Sequence, residues 1–334
     1  MRAMLLQGNA PIEDRPLRLV DVPAPQPGPG ELLVRVQACG ICRTDLHVIE
    51  GELPPVRPAV IPGHQVVGVV EGCGPGATRF ARGERVGVAW LRWTCGACPY
   101  CRRGEENLCA QSVYTGYHAD GGYAELGVVP QAFAYRVPAA LSAAEAAPLL
   151  CAGIIGYRAL RRSRLPLEGR LGIFGFGSSA HITMQVALHR GCEVYVATRG
   201  AEHRRLALQL GACWAGEADQ APPAPLDSAI LFAPAGELVP VALRALRKGG
   251  TLVLAGIYLS PIPAMSYAEH LFHEKRLTSV EANTREDGEE LLREAAAIPI
   301  RPRTRVFALE EANQALLTLK RDGIKGTGVL LVSP

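Results

Sequence analysis

Hydrophobic and polar residues alternate in short runs over the first 150 residues of the chain. The run from Val34 to Ala38 alternates apolar and polar side chains, which is typical of a strand buried on one face. Similar short runs lie between glycines and prolines, and we predict strands at 66–70, 85–90 and 123–129. This region is therefore predicted to form an antiparallel barrel or sandwich.

From about residue 155 the pattern changes, because short apolar runs now alternate with segments of helical periodicity. The predicted strands lie at 171–174, 194–197, 228–232, 251–255 and 277–280. A helix over 202–210 is expected to end at Gly211, and a further helix and strand follow at 286–297 and 328–332. Alternating strands and helices predict a parallel sheet with helices on both faces.

Composition and charge exclude several classes of protein. With 334 residues, 48% hydrophobic and 20% charged, the chain is expected to be globular and to form two domains. The net charge of +3, without a basic run beside aromatic residues, argues against a nucleic-acid partner. The chain has no apolar run of about 18 residues for a membrane span, and its N-terminal apolar run is too short for a signal peptide. Ten cysteines without a leader favour metal or thiolate chemistry in the reducing cytoplasm.

Four of these cysteines, Cys95, Cys98, Cys101 and Cys109, form a closely spaced set. Two-residue gaps let a short turn bring the sulfurs around one tetrahedral zinc, and a shell of four sulfurs would leave no open position. This zinc would therefore be structural. An iron–sulfur cluster is the alternative, since ferredoxin runs open with the same spacing, but the seven-residue last gap and the lack of a remote partner cysteine favour zinc.

A second, scattered set consists of Cys42, His64 and Cys151. Two sulfurs and one nitrogen would bind a zinc with its fourth position open for water or substrate, as in alcohol dehydrogenase. Taken singly, each residue could equally be a core or turn residue. Their occurrence beside a four-cysteine set favours the metal site.

Two further motifs suggest ligands. The turn Gly175-Phe176-Gly177-Ser178-Ser179-Ala180 directly follows an apolar strand and opens a helix, which is the pattern of a dinucleotide site. Gly175 and Gly177 would let the backbone approach a pyrophosphate at the helix N-terminus. Trp90, Leu91 and Trp93 precede the cysteine run, where Trp90 and Trp93 could line a substrate pocket or serve only in packing.

The chain resembles the zinc-dependent medium-chain alcohol dehydrogenases over nearly its whole length. The resemblance rests on five motifs in this order: GICRTDLH, GHQ, CGACPYCRRGEENLC, PLLCAG and GFGSSA. The resemblance implies a GroES-like barrel catalytic domain at 1–152, a Rossmann doubly wound cofactor domain at 153–285 and a return to the catalytic domain at 286–334. It also implies a homodimer or homotetramer that interconverts small alcohols with aldehydes or ketones, using two zinc ions per chain and NAD(H) or NADP(H).

The resemblance also assigns roles to individual residues. It implies that Cys42, His64 and Cys151 bind the catalytic zinc, that Thr44 takes the alcohol proton and that His47 is the outer end of the proton relay. Asp45 matches the carboxylate that orients the metal-bound histidine. Where the family usually has glutamate after that histidine, this chain has Gln65, which puts ligand exchange at the metal in doubt.

Two other functions remain open at this point. A zinc-independent reductase of the same superfamily would lack both cysteine sets, which argues against it. A non-catalytic nucleotide-sensing zinc protein of the same fold would lack some of the catalytic residues. Gln65, in place of the usual glutamate, is the one residue that favours this function.

The residues after the second strand of the cofactor domain predict a preference for NADP(H). NAD enzymes usually carry a carboxylate about 20 residues past the glycine turn. Here Thr198 and Arg199 follow the strand, and an arginine can bind the 2′-phosphate with a charge-assisted fork. The alternative is that Arg199, like Arg204 and Arg205 on the next helix, is a solvated surface charge.

Overall fold

The computed structural model describes residues 1–298 and 300–333, and the chain divides into two compact units. Met1–Cys151 forms the first unit together with the segment that starts at Ala282, and Ala152–Glu281 forms the second. The sequence placed these limits after residues 152 and 285.

Strands are present in both units. In chain order they are β1 (Arg2–Gln7), β2 (Leu17–Asp21), β3 (Glu31–Gly40), β4 (Ala59–Val60), β5 (Gln65–Cys73), β6 (Arg85–Val88), β7 (Leu91–Trp93), β8 (Val113–Tyr114), β9 (Leu126–Pro130), β10 (Ala134–Arg136), β11 (Arg170–Phe174), β12 (Glu193–Ala197), β13 (Trp214–Gly216), β14 (Leu226–Leu231), β15 (Leu246–Leu254), β16 (Arg276–Ser279), β17 (Thr304–Ala308) and β18 (Thr327–Leu331).

The longest helices lie in the second unit and the return segment. In chain order they are α1 (Arg43–Glu50), α2 (Pro99–Arg102), α3 (Ala143–Ala146), α4 (Ala152–Arg162), α5 (Ser178–His189), α6 (Ala201–Gln209), α7 (Leu238–Ala245), α8 (Tyr267–His270), α9 (Arg285–Ala297) and α10 (Ala312–Lys320). α9 begins with a capping box, in which Thr284 and Asp287 bond each other's backbone N–H groups.

The ten-residue strand β3 organises the main sheet of the first unit. It pairs antiparallel with β5, β9 and β18, and the strand order is β10-β6-β5-β3-β18-β17 with β9 added on β3. Val34 and Val36 point into a hydrophobic core that also contains Leu316 and Leu330 from the return segment. The return segment therefore completes the core of the first unit.

In the second unit, the parallel strands follow the order β13-β12-β11-β14-β15-β16. The chain starts in the middle of this sheet at β11, builds outward to one side and then returns to build the other side. This is the doubly wound order, in which ligands bind beyond the carboxyl ends of the central strands. The sequence prediction of a parallel Rossmann sheet is confirmed.

The sequence did not predict several short strands, among them β13 of the parallel sheet, and three further differences concern the first unit. The strand expected at 123–129 begins only at Leu126, since Tyr123 leaves the ladder and its backbone bonds Pro62 and Met4 instead. β17 was not predicted, because its burial pattern is mostly exposed and gives little alternation. β17 also pairs parallel with β18, so the sheet predicted as antiparallel has one parallel edge.

Within residues 1–298 and 300–333, no single helix is long and apolar enough to span a membrane. Only the described segments Ala143–Leu150 and Ala152–Arg162 together have the length and composition of a span.

Candidate active site

The start of α1 positions several reactive groups at once. Cys42 is the N-cap residue, and its Sγ accepts a hydrogen bond from the backbone N–H of Thr44 at 3.5 Å. Asp45, in the third helical position, accepts from the backbone N–H of Cys42 at 2.8 Å. The Thr44 Oγ1 lies 3.6 Å from Cys42 Sγ. A single capped turn therefore brings together a thiol, a hydroxyl and a carboxylate.

His64 lies just before β5 and is fully buried. Its Nδ1 donates to Asp45 Oδ1 at 3.0 Å, while its buried Nε2 has no hydrogen-bond partner among the described residues. Burial opposes the protonated imidazole, but the Asp45 charge and hydrogen bond, together with the nearby Cys42 thiol, outweigh it and raise the His64 pKa to about 10. The same negative surroundings favour a metal cation at Nε2.

Cys151 completes the second cysteine set from the end of a 3-10 segment, Ala147–Leu150. Its Sγ lies 3.9 Å from that of Cys42, and the ligand atoms of Cys42, His64 and Cys151 all lie within 4.8 Å of one another. A tetrahedral zinc with bonds of about 2.3 Å separates two sulfurs by about 3.8 Å, so the spacing fits one ion. The bond from the Cys151 thiol, followed by contacts with His64, holds the pKa of Cys42 well below its usual range.

Trp90 lies beside His64. Its ring meets the His64 ring edge-on, with centroids 5.0 Å apart, and it stacks on Tyr114 at 4.9 Å. Trp93 is 42% exposed and lines a different surface groove, together with Glu31 and Phe133, that contains none of the metal-site residues. The structure therefore brings Trp90, but not Trp93, to the candidate metal site.

The sulfurs of the four-cysteine set converge around the turn that precedes α2. Neighbouring sulfurs lie 3.5 to 3.9 Å apart, which again matches the edge of a tetrahedron around one zinc. All ten cysteines of the chain are free thiols. Backbone N–H groups of Ala97 and Cys98 bond the Cys95 sulfur and lower its pKa to about 6, so Cys95 is predisposed to be a thiolate ligand.

In the second unit, the glycine turn lies at the carboxyl end of the central strand β11. Gly175 has φ +88°, and a Cβ there would lie 2.7 Å from the Ala233 backbone, so only glycine fits. A Cβ on Gly177 would meet nothing within 4 Å, which leaves its outer side open to a ligand. Ser178 and Ser179 open α5, and Ala180 is fully buried where the helix packs on the sheet. This arrangement fits a pyrophosphate at the helix N-terminus.

Thr198 and Arg199 follow β12, as predicted. Thr198 is 5% exposed, whereas Arg199 is exposed and its side chain makes no hydrogen bond or ion pair within the described part of the chain. Arg204, by contrast, donates to the Thr198 carbonyl at 3.2 Å and forms an ion pair with Glu217 at 2.5 Å. The Arg199 guanidinium is therefore available to bind a ligand at the end of β12.

Glu52 and Tyr123 also belong to the site, and neither was predicted from the sequence. The Glu52 carboxylate contacts His47 Nδ1, and the Tyr123 hydroxyl donates to Asp45 Oδ2 at 3.0 Å. A carboxylate five residues after His47 could have been noticed in the sequence. No sequence signal connects Tyr123 with Asp45, because 78 residues separate them.

Both units match known families. Residues 28–139 match the alcohol dehydrogenase GroES-like domain, and residues 180–297 match the zinc-binding dehydrogenase family. The chain is 55% identical over 337 residues to the probable alcohol dehydrogenase AdhA of Mycobacterium tuberculosis (strain CDC 1551 / Oshkosh), covering 99% of this chain and 97% of the relative. It is 35% identical to an alcohol dehydrogenase of Geobacillus stearothermophilus, covering 95% and 97%.

A solved structure gives the same picture. The cinnamyl alcohol dehydrogenase SbCAD4 of Sorghum bicolor superposes with a TM-score of 0.88 at 30% identity, covering 98% of this chain and 96% of that one. Fold, family matches and relatives agree, so this chain belongs to the zinc-dependent medium-chain alcohol dehydrogenases, which transfer a hydride between an alcohol or aldehyde and a nicotinamide cofactor.

Proposed function

We propose that Cys42, His64 and Cys151 hold the catalytic zinc of this alcohol dehydrogenase. The observation that carries the proposal is the convergence of their ligand atoms within 4.8 Å, with the buried His64 Nε2 lacking a partner in the described chain. Three protein ligands leave the fourth position for substrate. When bound, zinc supplies Lewis-acid stabilisation of negative charge on the substrate oxygen.

The residues of α1 provide the path for the proton. Thr44 Oγ1, 3.6 Å from the Cys42 sulfur, takes the proton of the alcohol hydroxyl and passes it towards His47. Glu52 contacts His47 Nδ1, so the carboxylate holds a proton on that nitrogen. The Nε2 of His47 is then free to accept the proton that Thr44 passes on. Glu52 is 59% exposed on its side chain, which gives the relay an outlet to water. Trp90 borders the site and forms part of the substrate wall.

The four-cysteine set holds the second zinc of the chain, with a structural role. Its four sulfurs complete a tetrahedron and leave no position for substrate. Sulfurs only 3.5 to 3.9 Å apart leave room for one ion, whereas an iron–sulfur cluster would hold them further apart. Two zinc ions per chain are the expected content.

The cofactor is held by the glycine turn and the end of β12, and NADP(H) is the preferred form. Gly175, Gly177 and the start of α5 bind the pyrophosphate, which the open space beside Gly177 supports. The 2′-phosphate is bound by the Thr198 hydroxyl and the Arg199 guanidinium, since no carboxylate ends β12.

A cofactor assay tests this assignment. With a panel of aliphatic and aromatic aldehydes, NADPH should give the higher kcat/KM. Arg199→Ala should lower kcat/KM for NADPH by about 10- to 100-fold, the worth of a charge-assisted hydrogen bond, and leave that for NADH nearly unchanged.

Arg205→Ala is the charge-matched control, because Arg205 is also exposed but lies further along, on α6. It should change the NADPH to NADH ratio much less. Equal use of both cofactors by the native enzyme, or an unchanged ratio in Arg199→Ala, would show that NADP(H) is not preferred through Arg199.

The glutamine next to the metal ligand should be tolerated. Gln65 is 1% exposed, and its Oε1 has no partner within the described chain. A glutamate there would bury a carboxylate oxygen for which the described chain offers no hydrogen-bond donor, so Gln65→Glu should lower the Tm and change kcat by less than about tenfold.

Gln37→Glu provides the comparison, because Gln37 lies on the adjacent strand β3 and its buried Oε1 also lacks a partner in the described chain. It should lower the Tm without any effect on kcat. An increase in kcat of about a hundredfold in Gln65→Glu, close to 2.7 kcal/mol, would instead mean that glutamine impairs catalysis.

For the assembly and its location, we propose a homodimer or homotetramer in the cytoplasm. The family resemblance supports the oligomer, and two sets of thiolate ligands require a reducing compartment. Light scattering of the purified chain measures the subunit number directly.

A further inference from the structure

The hydrogen-bond chain behind the catalytic metal site continues beyond Asp45 to a tyrosine. The Asp45 carboxylate is 2% exposed and receives three bonds: His64 Nδ1 at 3.0 Å on Oδ1, and the Cys42 N–H at 2.8 Å and the Tyr123 hydroxyl at 3.0 Å on Oδ2. Two of these donors belong to proposed zinc ligands. Tyr123 is the third donor and belongs to neither.

Burial makes this third bond important. Within the described residues no lysine or arginine pairs with Asp45, so its charge is balanced only by hydrogen bonds and by the metal site itself. A buried carboxylate that loses one donor is less well stabilised and can rotate towards the donors that remain. Because Asp45 bonds both His64 and Cys42, such a rotation would disturb two ligands at once.

Tyr123 is built into the segment that carries His64. Its backbone N–H bonds Pro62 at 3.0 Å, and the neighbouring Gly122 N–H bonds the Gly63 carbonyl at 2.8 Å. A Cβ on Gly63 would lie 2.3 Å from the tyrosine ring, and Gly63 has φ +95°, so glycine is needed at this position on both counts. Burial, followed by the Asp45 charge, raises the pKa of the Tyr123 phenol well above its usual range, which keeps the hydroxyl protonated as a donor.

We propose that the Tyr123 hydroxyl is a positioning residue for the catalytic zinc, which holds the Asp45 carboxylate and, through it, the His64 ring and the Cys42 N-cap. The inference rests on the proposed zinc site at Cys42, His64 and Cys151. Removal of the hydroxyl should weaken zinc binding at that site alone and should leave the four-cysteine site unchanged.

The test is Tyr123→Phe in the full chain, which removes one hydroxyl and keeps the ring. Zinc affinity is measured by competition with a chromophoric chelator. Because Cys42→Ser should lack the catalytic zinc, comparison with that variant shows which of the two affinities belongs to the catalytic site. Removal of the hydrogen-bond partner of a metal-bound histidine lowers metal affinity by about 10- to 100-fold. Since Tyr123 is one bond further away, its removal should lower zinc affinity by about tenfold. With Co²⁺ in place of zinc, the visible absorption of the catalytic site should also shift.

Tyr135→Phe is the matched control. Tyr135 is 1% exposed in the same unit, and its hydroxyl accepts a bond from Asn283 at 3.2 Å, with no contact to the metal-site residues. It removes an equally buried hydroxyl and should leave catalytic zinc affinity unchanged. Equal loss of catalytic zinc in both variants would mean a general packing effect and would overturn the proposal.

A double-mutant cycle separates action through Asp45 from direct effects. In an Asp45→Asn background, Tyr123→Phe should change zinc affinity by less than about twofold, because the acceptor it positions is already altered. A full tenfold loss in that background would overturn the proposed route. If Cys42→Ser contains as much zinc as the native chain, the proposed zinc site itself is wrong. That result is distinct from the two outcomes that would overturn the role of Tyr123.

Discussion

Cys42→Ser should abolish turnover while the enzyme remains folded. Cys42 provides one of three proposed ligands, and the hydroxyl of serine is a far weaker zinc ligand than a thiolate. With the Lewis acid lost, kcat/KM should fall at least about 1,000-fold, or about 4 kcal/mol. Metal analysis should show one zinc per chain in place of two, and steady-state assays with NADPH and an aldehyde measure the loss.

Stability should change little in the same variant. Cys42 is half-buried at the N-terminus of α1, and serine is itself a good N-cap residue, so the capping of α1 is preserved. The Tm should stay within about 2 °C of the native value, as expected for a change of about 1 kcal/mol in a chain of this size. Retained turnover with only one zinc per chain would show that Cys42 is not a catalytic ligand.

The residues that could be predicted from the sequence are those whose geometry is set locally. Cys42, Thr44 and Asp45 occupy one turn, and the helix cap fixes their mutual positions whatever the rest of the chain does. The spacing of the four cysteines likewise fits one turn around a metal. The glycine turn after β11 was predictable for the same reason, since strand, turn and helix follow one another along the chain.

The contacts that could not be predicted depend on packing between distant segments. Tyr123 reaches Asp45 only because the segment around Gly122 folds back on Pro62 and Gly63. Trp90 and Trp93 look equivalent in the sequence, but one ring meets His64 and the other lines a separate groove. β17 has too little hydrophobic alternation to indicate a strand, and its pairing with β18 determines its structure instead.

A substitution in the four-cysteine site should have the opposite effect to Cys42→Ser, lowering stability more than turnover. Cys98→Ser should mainly reduce stability, because the loop from Cys95 to Cys109 contains only short helical segments. Zinc binding contributes about 10 to 16 kcal/mol in isolated zinc-finger peptides. A fraction of this, about 3 kcal/mol, would lower the Tm by about 4 °C in a chain of this size.

The loop is tied to the return segment by Glu106, whose buried carboxylate bonds the Arg285 backbone N–H at 3.0 Å and its guanidinium at 3.1 Å. Loss of zinc should therefore loosen both the loop and the start of α9, which hydrogen exchange would detect. At low temperature, kcat should remain within about tenfold of native, because the catalytic ligands lie on other segments.

Cys73→Ser is the matched control for Cys98→Ser, because Cys73 is an exposed free thiol of the same unit and belongs to neither metal set. It should leave zinc content, Tm and kcat at native values. Purified native chain should contain two zinc ions and show none of the visible absorption of an iron–sulfur cluster. Equal losses of stability and turnover in Cys98→Ser and Cys42→Ser would falsify the division into a structural and a catalytic zinc.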